Sequence, residues 1–175
     1  MSLDDIKLSP FLVKKLYEKT LIDSSFASEV SKEKKASLSV AENDDGIKYL
    51  GKNNKHILIL VYEKDHKFLG DEELSFLMNI LNACNITMTD AALVNVYENE
   101  NLNYENLIKK FEPTTILFIG TEPQALGFPI QIPMYQVQAY NKKQYLCAPS
   151  LQKLSADKVE KKQLWVALKK IFSII

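Results

Sequence analysis

Residues His56–Tyr62 read HILILVY, and this run constrains the fold more than any other stretch. It is continuous, apolar and rich in residues branched at Cβ. A strand with one wet face alternates apolar with polar residues; an unbroken run is what a strand buried on both faces requires. The chain must therefore supply covering layers on two sides of a sheet.

The residues that follow supply them in alternation. GDEELSFLMNILNAC, residues 70–84, has acids crowded in its first turn and an apolar stripe of Leu74, Leu77, Met78 and Leu81, which predicts a helix. AALVNVY (91–97) reads as a second strand, Tyr104–Phe111 as a short helix, and TILFIG (115–120) as a third strand. Two further extended segments are expected at Ile132–Tyr140 and Gln144–Cys147, joined by a turn at Asn141-Lys142-Lys143. A last helix is expected from about Ala156 to Phe172, with Leu164, Trp165, Leu168, Ile171 and Phe172 on its apolar face. The β-α-β-α-β order predicts parallel strands with right-handed crossovers. The expected architecture is an α/β fold, a three-layer α/β/α sandwich around a short, mainly parallel sheet.

The N-terminal third reads differently. SPFLVKKLYEKTLI (9–22) offers Ser9 as a cap, Pro10 at the first helical position, and an apolar stripe through Phe11, Leu12 and Leu16 beside Tyr17. Residues 23–54 are rich in Ser, Lys, Asn and acids with little periodicity, and read as a mostly irregular linker. The expected division is a helical arm and linker over 1–54 and an α/β domain over 55–175.

Composition narrows the chemistry. The chain has 175 residues, enough for one domain, and its 22 basic and 22 acidic residues leave a formal net charge of zero. No strong field drives it onto nucleic acid or an acidic membrane. All the basic residues are lysines, so no planar fork is present for bidentate grip on phosphate or guanine. Any DNA contact would be weak and salt-sensitive. Histidine occurs only at 56 and 66, and Cys84 and Cys147 have no CxxC spacing, so neither a metal site nor a cofactor is expected. The N-terminus shows no signal-peptide pattern and no apolar run approaches membrane-spanning length, so a cytoplasmic location without membrane contact is expected.

In parallel α/β sheets ligands bind beyond the carboxyl ends of the strands. The residues to weigh are therefore in the following loops. Glu63, Asp65 and His66 in EKDHKFLG could serve acid/base chemistry or stand as a solvated loop. Asn95 is a polar residue inside an apolar strand, and a buried amide must either bridge sheet to loop or read a ligand edge. GTEPQALGF holds Glu122 as a candidate base but matches no phosphate-binding glycine pattern, and Ser150 lacks a GxSxG elbow.

A buried strand, a helix, ALVNVY, ILFIGTEPQALGF, YLCAPSLQKL and a Trp-containing helix, in that order over about residues 55–172, resemble the uracil-DNA glycosylase fold. The resemblance implies that Asn95 in LVNV takes the place of the Asn that reads uracil. It also places Ala148-Pro149-Ser150 where the family has His-Pro-Ser, so the electrophilic histidine is replaced. The water-activating Gly-Gln-Asp-Pro-Tyr-His motif is missing too, since Tyr62–His66 keep only an Asp and a His. LFIGTEPQALGFPIQIP followed by CAPSLQKLSADKVEKKQLWVALKKI is similar to the psi subunit family of bacterial DNA polymerase III, which keeps this fold without catalysis. That resemblance implies a non-catalytic interaction subunit linking the clamp loader to other replication proteins, including a chi-like subunit. The arm residues Phe11, Leu12, Leu16 and Tyr17 would be its docking stripe. The rival expectation is a divergent, uracil-DNA glycosylase-like base-recognising enzyme built around Asn95.

Overall fold

The structure is a computed structural model and describes residues 40–42, 46–99 and 101–173. The expected helix over 9–22, with Phe11, Leu12, Leu16 and Tyr17, lies outside the described residues. In chain order the elements are β1 (Val40–Glu42), β2 (Lys48–Gly51), β3 (Ile57–Val61), α1 (Asp71–Ala83), β4 (Ala91–Asn95), α2 (Tyr104–Phe111) and β5 (Thr115–Ile119). A 3-10 turn (Pro123–Leu126), β6 (Gln138–Tyr140), β7 (Lys143–Ala148), α3 (Leu151–Ala156) and α4 (Lys158–Phe172) complete the described chain.

The strands form one mixed sheet in the order β1-β2-β4-β3-β5-β7-β6. The central four, β4-β3-β5-β7, run parallel. The flanking pairings, β1 with β2, β2 with β4 and β6 with β7, are antiparallel. The expectation of a mainly parallel sheet is thus corrected: parallel strands form the centre and antiparallel strands both sides. The reason lies at the ends of the chain order. The chain turns from β2 into β3 over residues 52–56 with no helix between them, so β2 runs against β3 and against β4, which lies between the two and is parallel to β3. β6 joins β7 through a two-residue turn in which Asn141 (φ 48°) and Lys142 (φ 59°) are both left-handed. That is the primed geometry that matches strand twist in a tight hairpin.

β1 and β2 lie in the stretch expected to be linker, so the α/β domain begins ahead of residue 55. Gly51 makes this possible. Its φ of 109° suits glycine, and a Cβ there would sit 2.1 Å from the Ala91 carbonyl oxygen. β2 can therefore close against the start of β4 only with glycine at this position.

All five residues of β3 are buried, as a strand at the centre of two covering layers must be. Its side chains alternate between two separate cores. Ile57, Ile59 and Val61 pack with Leu77 and Leu81 of α1 and with Leu164, Leu168 and Ile171 of α4. Leu58 and Leu60 pack with Leu107 and Phe111 of α2, Phe118 of β5 and Phe128. Phe128 meets Tyr104 and Phe118 edge-on, at 4.8 and 4.9 Å between centroids.

Two more expectations differ. Only Gln138–Tyr140 of the expected strand over 132–140 is a strand. Pro133 has no N–H to give a ladder, and Tyr135 sits at φ 61°, which strand geometry forbids. Tyr135 is instead fastened by its N–H to the Cys147 carbonyl at 2.9 Å and by its hydroxyl to Glu160. The last helix is also preceded by a separate short one, α3. Asp157 is extended between them, and its carboxylate accepts from the Val159 N–H at 2.7 Å, stopping α3 and capping α4.

Cys84 and Cys147 are both free and buried. Desolvation pushes the Cys84 thiol up to about 11 and raises that of Cys147. Since the thiolate is the reactive form, neither should react appreciably with an aromatic disulfide reagent at mildly alkaline pH in the native state. Both should react promptly in denaturant. Fast native reaction of either thiol would show that the two cores are not closed as described.

Candidate functional site at the carboxyl edge

The chain leaves β3 for β4 on one side and then crosses to β5 on the other. Strand order therefore reverses at β3, and the crevice for a ligand in such a sheet lies beyond the carboxyl ends of β3 and β5. The loops after β3, β4, β5 and β7 surround this edge.

Asn95 is the last residue of β4 and is 0% exposed. Its Nδ2 donates to the carbonyl oxygens of Glu63 at 2.8 Å, His66 at 3.2 Å and Lys67 at 3.3 Å. Its Oδ1 accepts from the N–H groups of Glu63 at 3.0 Å and Tyr97 at 3.2 Å. A carboxamide has two protons and two oxygen lone pairs, so this one is filled entirely by the chain's own backbone. Of the two roles expected for it, the geometry shows the bridge between sheet and loop.

Asn99 extends the bridge, and sequence reasoning missed it. Its Oδ1 accepts from the Lys48 N–H at 2.8 Å, while its Nδ2 donates to the Lys48 carbonyl at 3.2 Å and the Asn95 carbonyl at 2.8 Å. The amide imitates a peptide unit and prolongs the β2–β4 ladder past the end of β4. The signal was the spacing Asn95-x-x-x-Asn99, whose second Asn falls in a stretch, YENEN, whose composition reads as solvated loop.

The other expected residues divide into two groups. Glu63, Asp65 and His66 share the β3–α1 loop pinned by Asn95. The Glu63 carboxylate accepts from the Asp65 N–H at 2.9 Å, and His66 Nδ1 stands 3.9 Å from it, beyond hydrogen-bond distance. Asp65 and His66 are exposed. Ser150 and Glu122 belong to the β7 and β5 ends. The Ser150 hydroxyl caps α3 by accepting from the Lys153 N–H at 3.5 Å, a long bond. Glu122 is exposed at the start of the 3-10 turn. Gly120 (φ 68°) lets the two strand ends meet: a Cβ on it would lie 3.1 Å from Ser150 Cα, and its N–H donates to the Ala148 carbonyl at 2.9 Å. Beside it Thr121 Oγ1 is buried without a hydrogen-bond partner in the chain.

Beside these charged residues the edge also presents aromatic rings to solvent. Tyr62 and Tyr97 are 47% and 49% exposed and pack edge to face with centroids 5.8 Å apart. Lys64 Nζ lies 5.8 Å from the Tyr62 ring centre. Next to Tyr97 an open polar cleft of about 1210 Å³ runs between the β4–α2 loop and the start of β2. Two of the lysines that line it are engaged: Lys48 pairs with Glu98 at 3.5 Å, and Lys110 donates to the Ile47 carbonyl at 3.4 Å while lying over Tyr49.

Among the described residues no group of three or more His, Cys, Asp or Glu side chains is placed to hold a metal ion, and no helix is long and apolar enough to cross a membrane. No protein-family model matches the chain, and no curated protein matches its sequence.

Replacing Asn95 by Ala would strand the Glu63 and Tyr97 N–H groups and the Glu63 carbonyl. At about 1–3 kcal/mol per unsatisfied buried group, with some relief from water entering the loop, the variant should lose about 2–4 kcal/mol in urea denaturation. Exchange of the Glu63 and Tyr97 amides should accelerate beyond the global loss. Unchanged stability would show that the bridge is not formed in solution.

Proposed function

We propose that the chain is a non-catalytic interaction subunit with a uracil-DNA glycosylase-like sandwich, similar to the psi subunit, which links the clamp loader to other DNA replication proteins in the cytoplasm. The observation that carries the reading is the saturation of Asn95. A residue that reads a base must keep a donor and an acceptor for it, and this amide keeps neither. Ala148 adds to it. In the resembled glycosylases a histidine at this place stabilises the departing base, whereas a buried methyl group at the end of β7 stabilises no charge. The segments that carry the psi resemblance fall on β5 with its following turn and on β7 with α3 and α4. The two strand ends are drawn together at Gly120 and Ser150.

The rival reading, a divergent base-recognising enzyme, draws on the exposed Tyr62–Tyr97 pair beside Lys64, which offers an aromatic face on which a base could stack. Stacking without a base-reading group gives binding and not excision.

Affinity capture separates the readings. Tagged full-length protein should retain clamp-loader subunits and a chi-like subunit from purified mixtures, and Leu12→Asp with Leu16→Asp in the arm should abolish clamp-loader retention. The same preparation should release no uracil from single-stranded uracil DNA. Uracil release by the full-length protein, or absence of any retained replication subunit, would overturn the proposal.

A further inference from the structure

The helix α4 is charged out of proportion to the chain. It carries Lys158, Lys161, Lys162, Lys169 and Lys170 against the single acid Glu160, so five positive charges less one negative leave an excess of four, while the whole chain sums to zero. Glu160 does not offset them outward. It accepts from the Tyr135 hydroxyl and pairs with Lys153 of α3 at 3.2 Å. Those partners lie in the 133–137 loop and on the preceding helix.

The inward face of α4 is accounted for by Leu164, Ala167, Leu168 and Ile171, all buried against the sheet. The outward face is not simply polar. Val159 and Val166 are 63% and 49% exposed. They stand seven residues apart, two helical turns or about 10.5 Å along one face. At helical spacing Lys162 falls between them, with Lys169 and Lys170 one turn beyond Val166. Lysines alone would read as a solvated face. Two branched side chains on solvent at heptad spacing do not, because Val in an exposed helix position loses rotamer freedom and gains no burial. The face carries two exposed valines a heptad apart, with Lys162 and Gln163 between them and positive charge alongside.

We propose that this outward face of α4 docks an acidic amphipathic helix of a partner protein. Apolar residues of that helix would seat on Val159 and Val166, and its flanking Glu or Asp side chains would meet Lys158, Lys162, Lys169 and Lys170. Charge complementarity selects the sign of the partner, and the heptad spacing of the valines selects a helix. A phosphate backbone would use the lysines and leave the valines facing its charge. A lipid surface needs a broad apolar face, and the broad apolar face of α4 is already buried on the sheet. The inference deepens the adaptor reading by naming the chemistry of one partner. It uses residues other than the arm, so a direct peptide measurement decides it independently of clamp-loader capture.

The probe is a fluorescein-labelled synthetic helix of about three heptads, with Leu at the seam positions and Glu at the flanking ones. Anisotropy titrations use full-length protein. Binding should weaken several-fold between about 50 and 300 mM salt. Val166→Asp and the double change Lys162→Glu with Lys169→Glu should each lower affinity about tenfold or more. The variant in which all four are reversed, Lys158→Glu, Lys162→Glu, Lys169→Glu and Lys170→Glu, should in turn bind the matching peptide with Lys in place of Glu, a rescue that misfolding could not produce. Lys52→Glu, outside the helix, should change nothing, and circular dichroism checks that each variant stays folded. The proposal is overturned if the acidic peptide does not bind, if the Lys peptide binds wild type as well as the Glu peptide does, if neither set of α4 changes lowers affinity, or if an oligothymidylate of equal charge binds more tightly than the acidic peptide.

Discussion

The side-chain amide of Asn95 lies where four parallel strands end, and the arrangement around it depends on where its protons go. It holds the backbone of the β3–α1 loop at Glu63, His66 and Lys67, and it holds the turn after β4 at Tyr97. The backbone carbonyl of Asn95 carries the connection to Asn99, whose own amide clamps Lys48 at the start of β2. Two carboxamides thus fix three chain segments at one end of the sheet. A buried amide costs several kcal/mol when unpartnered and rigidifies its surroundings when every partner is present. The same saturation that orders this end removes the group a base-reading enzyme would need.

Around that fixed edge the fold follows from burial. β3 lies between two cores and sends alternate residues into each, which is why its sequence has no polar position. The antiparallel additions on both sides, β1–β2 and β6, widen the sheet without further helices. The two covering layers leave different outer surfaces. At the strand ends the surface includes the Tyr62–Tyr97 pair, and on α4 it includes two valines among lysines. Tyr62, Tyr97, Val159 and Val166 are all exposed. The proposed interaction subunit is a reading that uses these features together.

Much of this was legible in the sequence, for physical reasons that vary by element. HILILVY and TILFIG were readable because burial on both faces leaves an unmixed apolar run; Tyr104–Phe111 is a helix capped by Asn103, whose side chain accepts from the Asn106 N–H, with Leu107 and Phe111 buried one turn apart. KYLG was not, since a four-residue strand beside a glycine carries too little pattern to stand out from a polar stretch. The stretch from Ile132 looked extended, but with Pro133 and the left-handed Tyr135 it keeps only a single bridge, Met134 to Cys147, before the strand at Gln138. Asn95 announced itself as a polar residue in an apolar strand. Which of its two roles it fills is decided by backbone groups about 30 residues away in sequence, which no local pattern reveals. Asn99 was hidden for the opposite reason: it sits among Glu and Asn residues, where one more amide carries no contrast.

The most direct test of the account is to follow the Asn95 side-chain amide protons by NMR, first for exchange with water and then during titration with uracil-containing single-stranded DNA. The account predicts two resolved proton signals that exchange slowly and stay in place as the oligonucleotide is added, even where Tyr62 or Tyr97 signals move. Rapid exchange, or a shift of the Asn95 protons that saturates with uracil DNA and not with its thymine counterpart, would contradict it and restore Asn95 as a base-reading residue.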